Sequence, residues 1–155
     1  MSLVANRIKP EKIIECVEKC GVGFLFAPNH HPAMRFVASA RKIMGKRTIF
    51  NLLGPMSNPA RTKKMLVGVC DDGWRKLMSE AFNKLNAQHV WVVHGHDGLD
   101  EITTTGLTNV SEVKDGEIRN FTLDPREFGI KIVDLDKLKG GHPLPKKGVE
   151  VPISP

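Results

Sequence analysis

The spacing of apolar and polar residues predicts three short helices in the first part of the chain. Residues 10–19 place their apolar side chains on one stripe, and Gly21 follows as a helix stop signal. A second helix is predicted from about residue 32 to residue 44, and a third over residues 48–53. A brief apolar strand is expected at residues 23–27, between the first two helices.

From about residue 65 the pattern changes to strands that alternate with a helix. Met65 to Val69 and Val90 to Val93 are continuous apolar runs, which are typical of parallel strands covered on both faces. The helix predicted between them carries an apolar stripe of Leu77, Met78, Ala81, Phe82 and Leu85. After Val110 the residues suit a β-hairpin that turns at Asp115-Gly116. The pattern therefore predicts an α/β domain.

Composition and charge argue against a membrane protein and against a nucleic-acid-binding protein, but they do not identify a function. Hydrophobic residues make up 41% and charged residues 26%, as in ordinary globular domains. No run approaches the roughly 20 apolar residues of a membrane span, and the first residues lack a signal-peptide core, so we expect a cytoplasmic protein. The net charge of +6 fits a site for anionic metabolites or a solvated surface. Nucleic-acid binding is disfavoured, because the cations are scattered with no aromatic stripe between them.

An acidic loop, HGHDGLDE, directly follows the Val90 to Val93 run. This position lies beyond the carboxyl end of a predicted parallel strand, which is where open α/β sheets bind ligands. The adjacent carboxylates of Asp100 and Glu101 are oxygen ligands of the kind that Mg²⁺ prefers. From composition alone, a solvated acidic loop is the simpler interpretation.

Two residues near the second predicted helix are candidates for binding an anion. Arg41 lies on the same side as the apolar residues of that helix, and such a cation needs a carboxylate partner. The partner is either a ligand or another side chain of the protein. His31 opens the helix, where it either donates to an anion or caps the helix.

Three segments carry a resemblance to a known family: GVGFLFAPNHHPAM, RTIFNLLGPMSNPA and GLDE. Together they resemble the anthranilate phosphoribosyltransferase family. The resemblance implies a mostly parallel sheet with covering helices and two helices of a small helical lobe, the architecture shared by nucleoside phosphorylases and phosphoribosyltransferases. It also implies transfer of phosphoribosyl from phosphoribosyl pyrophosphate (PRPP) to anthranilate, a step of tryptophan biosynthesis.

The resemblance also implies roles for particular residues. Arg41, His31 and Pro55 match family positions that contact anthranilate, and Asp100 and Glu101 match the pair that coordinates Mg²⁺. No residue is assigned as a general acid or base. The family is homodimeric, and its members act on PRPP with Mg²⁺ as cofactor.

The sequence departs from the family in what it lacks. The glycine-rich GTGGD and KHGNR motifs, which bind PRPP in the family, do not occur in these 155 residues. After Gly141 the residues HPLPKKGVEVPISP replace a family helix. We therefore expect residues 1–141 to form part of the α/β domain, with small-lobe helices at about 30–58, and residues 142–155 to form an irregular tail.

A chain of this extent is expected to be inactive alone and to self-associate. Its exposed apolar residues are expected among Phe36, Ile49, Phe50, Leu52 and Leu53. Two alternatives remain open from the sequence. One is a pyrimidine nucleoside phosphorylase-like enzyme, and the other is a non-catalytic transferase-like paralogue that binds nucleic acid.

Overall fold

The computed structural model describes residues 10–25, 36, 43, 50–58 and 62–138. The first helix, α1 (Pro10–Cys20), forms where its stripe predicted it, and Gly21 ends it with φ of +73°. The predicted strand at 23–27 is wrong for residues 23–25, which have no regular structure, and its last two residues lie outside the described residues. A Cβ on Gly23 would lie 2.8 Å from Val17 Cγ2, so this segment packs back onto α1 instead of extending beside a strand.

The second described helix, α2 (Phe50–Met56), runs further than the predicted end at residue 53. It continues through Gly54 and Pro55, and Ser57 donates its N–H to the Leu53 carbonyl over 3.0 Å. Proline removes only its own N–H from the helical ladder, so the final turn still closes around it. The helix therefore carries Pro55 within a regular element, not in a turn.

Four strands form one sheet in the order β1 (Lys64–Gly68), β2 (His89–Gly95), β3 (Thr108–Lys114) and β4 (Glu117–Leu123). β1 and β2 are parallel, whereas β2–β3 and β3–β4 are antiparallel. The α/β prediction is confirmed, and the described sheet is mixed. A two-residue turn joins β3 to β4, and a connection that short can only link antiparallel strands.

The helix α3 (Gly73–Lys84) crosses from β1 to β2 and packs on one face of the sheet. Met78 and Phe82 are buried there against the valines of the sheet, Val67, Val90, Val92 and Val113. Leu77 and Leu85, however, are 55% and 60% exposed, so the predicted apolar stripe was too wide. Ser79 takes a buried place instead, because its hydroxyl donates to the Lys76 carbonyl over 2.8 Å.

The hairpin of β3 and β4 confirms the predicted turn. Asp115 and Gly116 have φ of 50° and 87°, the left-handed values that a two-residue hairpin turn requires. Asn83 of α3 donates its side-chain N–H to the Gly116 carbonyl over 3.0 Å, which ties the turn to the crossover helix.

The segment after β4 returns to the β2–β3 connection. It forms two short 3-10 helices, Pro125–Phe128 and Leu135–Leu138. Between them Val133 donates its N–H to the Thr104 carbonyl over 3.1 Å. The segment after β4 therefore contacts and stabilises the β2–β3 connection, which carries the acidic loop.

Several predictions concern segments that the structure describes only in part or not at all. Most of the predicted helix at 32–44 and all of the tail at 142–155 lie outside the described residues. Phe36 and Leu53 are 72% and 39% exposed, which confirms that the predicted set includes exposed apolar residues. Within the described residues, no helix has the length and apolar character needed to cross a membrane.

Candidate functional site

The acidic loop lies at the carboxyl ends of the two parallel strands. It leaves β2 after Gly95 and crosses over the last residue of β1, where the Asp100 carbonyl lies against Gly68. A Cβ on Gly68 would stand 1.6 Å from that oxygen, so only glycine permits this approach. The side chains of Asp100 and Glu101 are both exposed. The structure thus places the exposed carboxylate pair at the carboxyl ends of β1 and β2.

The side chain of Asp97 holds the loop together from inside. Its Oδ1 accepts the Leu99 N–H over 3.0 Å, and its Oδ2 accepts the hydroxyls of Thr103 and Thr105, the latter over 2.5 Å. Burial raises the pKa of the Asp97 carboxyl, but these hydrogen bonds outweigh burial and leave the pKa below its ordinary value. An ionised Asp97 therefore joins the residues on both sides of Asp100-Glu101.

A glycine at the end of β2 makes this arrangement possible. A Cβ on Gly95 would lie 2.5 Å from Asp97 Oδ1 and 3.1 Å from Thr103 Cγ2. Thr103 is itself buried, and its N–H donates to Thr108 Oγ1 over 3.0 Å. Sequence reasoning missed Asp97 and the threonines, although the run ITTTG after the acidic pair was a signal of local hydrogen-bonding capacity.

A second polar cluster begins at the first turn of α3. Arg75 donates from Nε to Asp72 Oδ1 over 2.8 Å and from one terminal nitrogen to Ser111 Oγ over 2.6 Å and Asn120 Oδ1 over 2.9 Å. The hydrogen bond from Arg75 is the main reason that the pKa of the Asp72 carboxyl is lowered. Arg75 thereby joins the crossover helix to both strands of the hairpin.

Two histidines flank the cluster on the β2 side. His94 donates from Nδ1 to the Val69 carbonyl over 2.8 Å, and its electrostatic interaction with Asp72 makes a smaller contribution to the lowered pKa of that carboxyl. His96 donates from Nε2 to Asn109 Oδ1 over 3.0 Å, while Asn109 donates to Asp72 over 3.2 Å. Each of these polar groups has a protein partner, so the cluster serves to fix the strand ends beside the acidic loop.

Pro55 lies elsewhere in the described structure. It is half-buried in α2 and lines a hollow of about 270 Å³ with Lys63, Phe82 and Ala87. Lys63 precedes β1, whereas Gly68 ends it, so this hollow and the acidic loop lie at opposite ends of that strand. The described residues therefore do not bring Pro55 together with Asp100 and Glu101. Arg41 and His31 lie outside the described residues.

The acidic pair suits a Mg²⁺ site that is completed by water and phosphate better than a metal site made of protein ligands alone. Within the described ranges, no three histidine, cysteine or acidic side chains converge as a metal-binding group. A cage built from protein ligands alone is thus not present there. Two adjacent exposed carboxylates do suit Mg²⁺, which commonly binds one or two carboxylates together with water and substrate phosphates.

Comparison with known proteins identifies the class to which the chain belongs. Residues 4–150 match the family described as "Glycosyl transferase family, a/b domain", and the chain is a member of that family. An anthranilate phosphoribosyltransferase from Sinorhizobium medicae is 53% identical over 134 residues. That alignment covers 86% of this chain but only 40% of the relative, so the chain spans less than half of the relative's length.

Solved structures agree with this assignment. The anthranilate phosphoribosyltransferase from Saccharomyces cerevisiae in complex with PRPP and Mg superposes with a TM-score of 0.75 at 27% identity, covering 86% of this chain and 37% of the yeast chain. The same yeast enzyme in complex with 4-fluoroanthranilate superposes with a TM-score of 0.67 at 29% identity, over 79% of this chain and 36% of the other. The α/β fold and the family are thereby both established.

Proposed function

We propose that this chain contributes to anthranilate phosphoribosyl transfer, the joining of the anthranilate amine to the C1 carbon of PRPP with release of pyrophosphate. The observation that carries the proposal is the 53% identity to a named anthranilate phosphoribosyltransferase over 86% of the chain. The position of the acidic loop at the carboxyl ends of parallel strands supports it further. The reaction serves tryptophan biosynthesis in the cytoplasm.

The proposed role of Asp100 and Glu101 is to hold Mg²⁺ against the diphosphate of PRPP. Their exposed carboxylates leave room for water and phosphate oxygens around one ion. When bound, Mg²⁺ supplies Lewis-acid stabilisation of the charge that develops on the departing pyrophosphate. Asp97 positions the pair by fastening the loop on both sides of it.

The proposed acceptor side consists of Arg41, His31 and Pro55. The guanidinium of Arg41 suits the anthranilate carboxylate, because a planar fork of donors matches two carboxylate oxygens. His31 would line the space for the aromatic ring. The family match gives Pro55 the same role, although the described residues place it at the opposite end of β1 from the acidic loop. With no residue assigned as a general base, the rate would come mainly from holding the two substrates in line.

A chimera tests this function. The 134-residue matching segment of the Sinorhizobium medicae relative is replaced by the corresponding segment of this chain. Consumption of anthranilate in the presence of PRPP and Mg²⁺ is then followed by fluorescence. We expect the chimera to retain activity, and we expect the isolated 155-residue chain to show none.

Variants of the chimera test the residue assignments. Asp100→Asn combined with Glu101→Gln should lower kcat strongly and raise the Mg²⁺ concentration needed for half-maximal rate. The control is Asp115→Asn, which alters an exposed acid in the distant hairpin turn. An inactive parent chimera that folds would overturn the proposal, and phosphorolysis of a pyrimidine nucleoside in its place would favour the phosphorylase alternative.

A further inference from the structure

The helix α1 ends with two cysteines on one of its faces. Cys16 and Cys20 lie four residues apart, both are exposed, and neither belongs to a disulfide. Residues at this spacing are neighbours on the surface of a helix, with about 5–6 Å between their Cβ atoms. The two thiols therefore form a pair that is open to solvent.

The last turn of α1 keeps this spacing. Gly21 donates its N–H to the Val17 carbonyl over 2.9 Å and takes a φ of +73°, a common way to close the end of a helix. Ile13, one turn earlier, is only 7% exposed, and Gly23 packs against it and against Val17. The backbone of Cys20 is thus held in the helix by contacts that other residues make.

Three charged side chains of α1 are paired with one another. Glu15 accepts from Lys12 over 2.7 Å and from Lys19 over 2.8 Å. The pairs join residues three and four positions apart, the spacings at which ion pairs support a helix. They therefore reinforce the turns that carry the two cysteines.

The spacing of the two cysteines does not suit a disulfide. A disulfide needs Cβ atoms about 3.5–4.5 Å apart, so a direct bond between Cys16 and Cys20 would pull them together and distort the last turn of α1. One atom placed between the two sulfurs lengthens the bridge, and such a bridge can span neighbouring helical positions without that distortion. The pair is therefore better suited to share a bound atom than to form a disulfide.

The kind of atom follows from the donors. Thiolate sulfur is a soft ligand and selects soft, thiophilic centres. Structural zinc takes four protein ligands, and within the described ranges no third histidine, cysteine or acidic side chain joins these two cysteines as a metal-binding group. A centre that two sulfurs can satisfy is therefore favoured over zinc.

We propose that Cys16 and Cys20, together called the α1 dithiol, bind a trivalent arsenical that carries one organic group. Two As–S bonds form and the two As–O bonds of the hydrated arsenical, R–As(OH)₂, break, while the two thiol protons leave with the oxygens as water. Arsenic stays trivalent, so the step needs no oxidant or reductant. The site is independent of phosphoribosyl transfer, because it uses none of the residues assigned to that reaction.

Phenylarsine oxide tests the proposal. The reduced 155-residue chain is mixed with an equimolar amount of this compound, and an excess of 2-mercaptoethanol is added before the intact mass is measured. We expect one phenylarsenic group per chain, retained against this monothiol and removed by the dithiol 2,3-dimercaptopropanol. Far-ultraviolet circular dichroism should show no loss of helix on binding. Removal of the group by the monothiol would overturn the proposal, and so would a loss of helix.

Three serine variants locate the bound arsenic. Cys16→Ser and Cys20→Ser each leave one thiol of the pair, and we expect about a hundredfold loss of affinity because the second bond is no longer formed within one molecule. Cys70→Ser removes the half-buried third cysteine and should bind as the parent chain does. Equal affinity of the parent and Cys20→Ser would overturn the assignment of the site.

A spacing variant separates the helical pair from any two thiols. Glu18→Cys combined with Cys20→Ser keeps two cysteines in α1 but puts them two residues apart, where side chains do not face each other. We expect the same loss of affinity as for Cys20→Ser alone. Binding by this variant with the affinity of the parent would show that the helical spacing plays no part, and it would overturn the proposal.

Discussion

The carbonyl oxygen of Asp100 lies directly against Gly68, and a Cβ at Gly68 would stand 1.6 Å from it. This contact seats the acidic loop on the end of β1, a strand that is separated from the loop by the whole of α3 and β2. The position of the Asp100-Glu101 pair therefore depends on the absence of a side chain some thirty residues earlier in the sequence.

Gly68→Ala should displace the loop or the end of β1. A methyl group cannot share the space of a backbone carbonyl, so we expect a loss of about 1–3 kcal/mol in the free energy of unfolding, the usual cost of overpacking. Urea denaturation measures the loss. The control is Gly106→Ala in the same connection, where a Cβ meets nothing within 4 Å. Equal stability of the two variants would contradict the contact.

Asp97→Asn should loosen the loop and change its response to pH. The pKa of Asp97 is lowered in the folded chain, so its ionised form contributes stability above the unfolded pKa of about 3.9. That contribution disappears as the pH falls through the folded pKa. The difference in unfolding free energy between parent and variant should therefore be largest near pH 6 and shrink below about pH 4. A difference that is independent of pH would exclude the role given to the carboxylate.

Arg75→Ala should destabilise the junction of α3 with the hairpin. The side chain of Arg75 is only 17% exposed, and it donates to Asp72, just before α3, and to groups on β3 and β4. Its loss leaves Asp72 and Ser111 without that donor, and we expect a cost of about 2–3 kcal/mol, as for hydrogen bonds to charged groups. Lys76→Ala, one position later and highly exposed, should change the stability by less than about 0.5 kcal/mol. Thermal and urea denaturation of both variants measure these effects.

Phe36→Ser should reduce self-association of the chain. Phe36 is 72% exposed, and exposed apolar surface promotes association between molecules. Analytical ultracentrifugation over a range of concentrations should show a shift of the variant towards the monomer. The control is Ile132→Ser. It removes an apolar residue that is 45% exposed and lies between the two 3-10 helices after β4. A parent chain that stays monomeric at all concentrations would contradict the prediction.

The sequence predicted the elements whose local signals agree with their tertiary surroundings. The strands β1 and β2 were predictable because each contains a continuous apolar run, and the Asp-Gly turn was predictable because these two residues readily adopt positive φ. The helix α3 was predicted with too wide a core face, since Leu77 and Leu85 carry the correct spacing yet reach beyond the sheet. The helical spacing of apolar residues does not distinguish a leucine that packs against the sheet from one that remains exposed to solvent.

Part of the candidate site could not be predicted, because some of its residues depend on contacts that are distant in sequence. Asp100 and Glu101 could be found because two adjacent carboxylates after a strand are a local pattern. Gly68 could not, because its importance comes from a contact with a loop that is distant in sequence. Asp97 was missed because an acidic residue next to a more conspicuous acidic pair gives no sign that it is half-buried and bound by two threonine hydroxyls.

The two-residue turn at Asp115-Gly116 has a consequence for the order in which the chain folds. β3 and β4 are adjacent in sequence and close on each other over a short loop, a process that takes about 1–10 μs in isolated hairpins. β1 must instead wait for the whole crossover through α3 before it meets β2. Folding should therefore begin with the β3–β4 hairpin and add β1, at the other side of the described sheet, last.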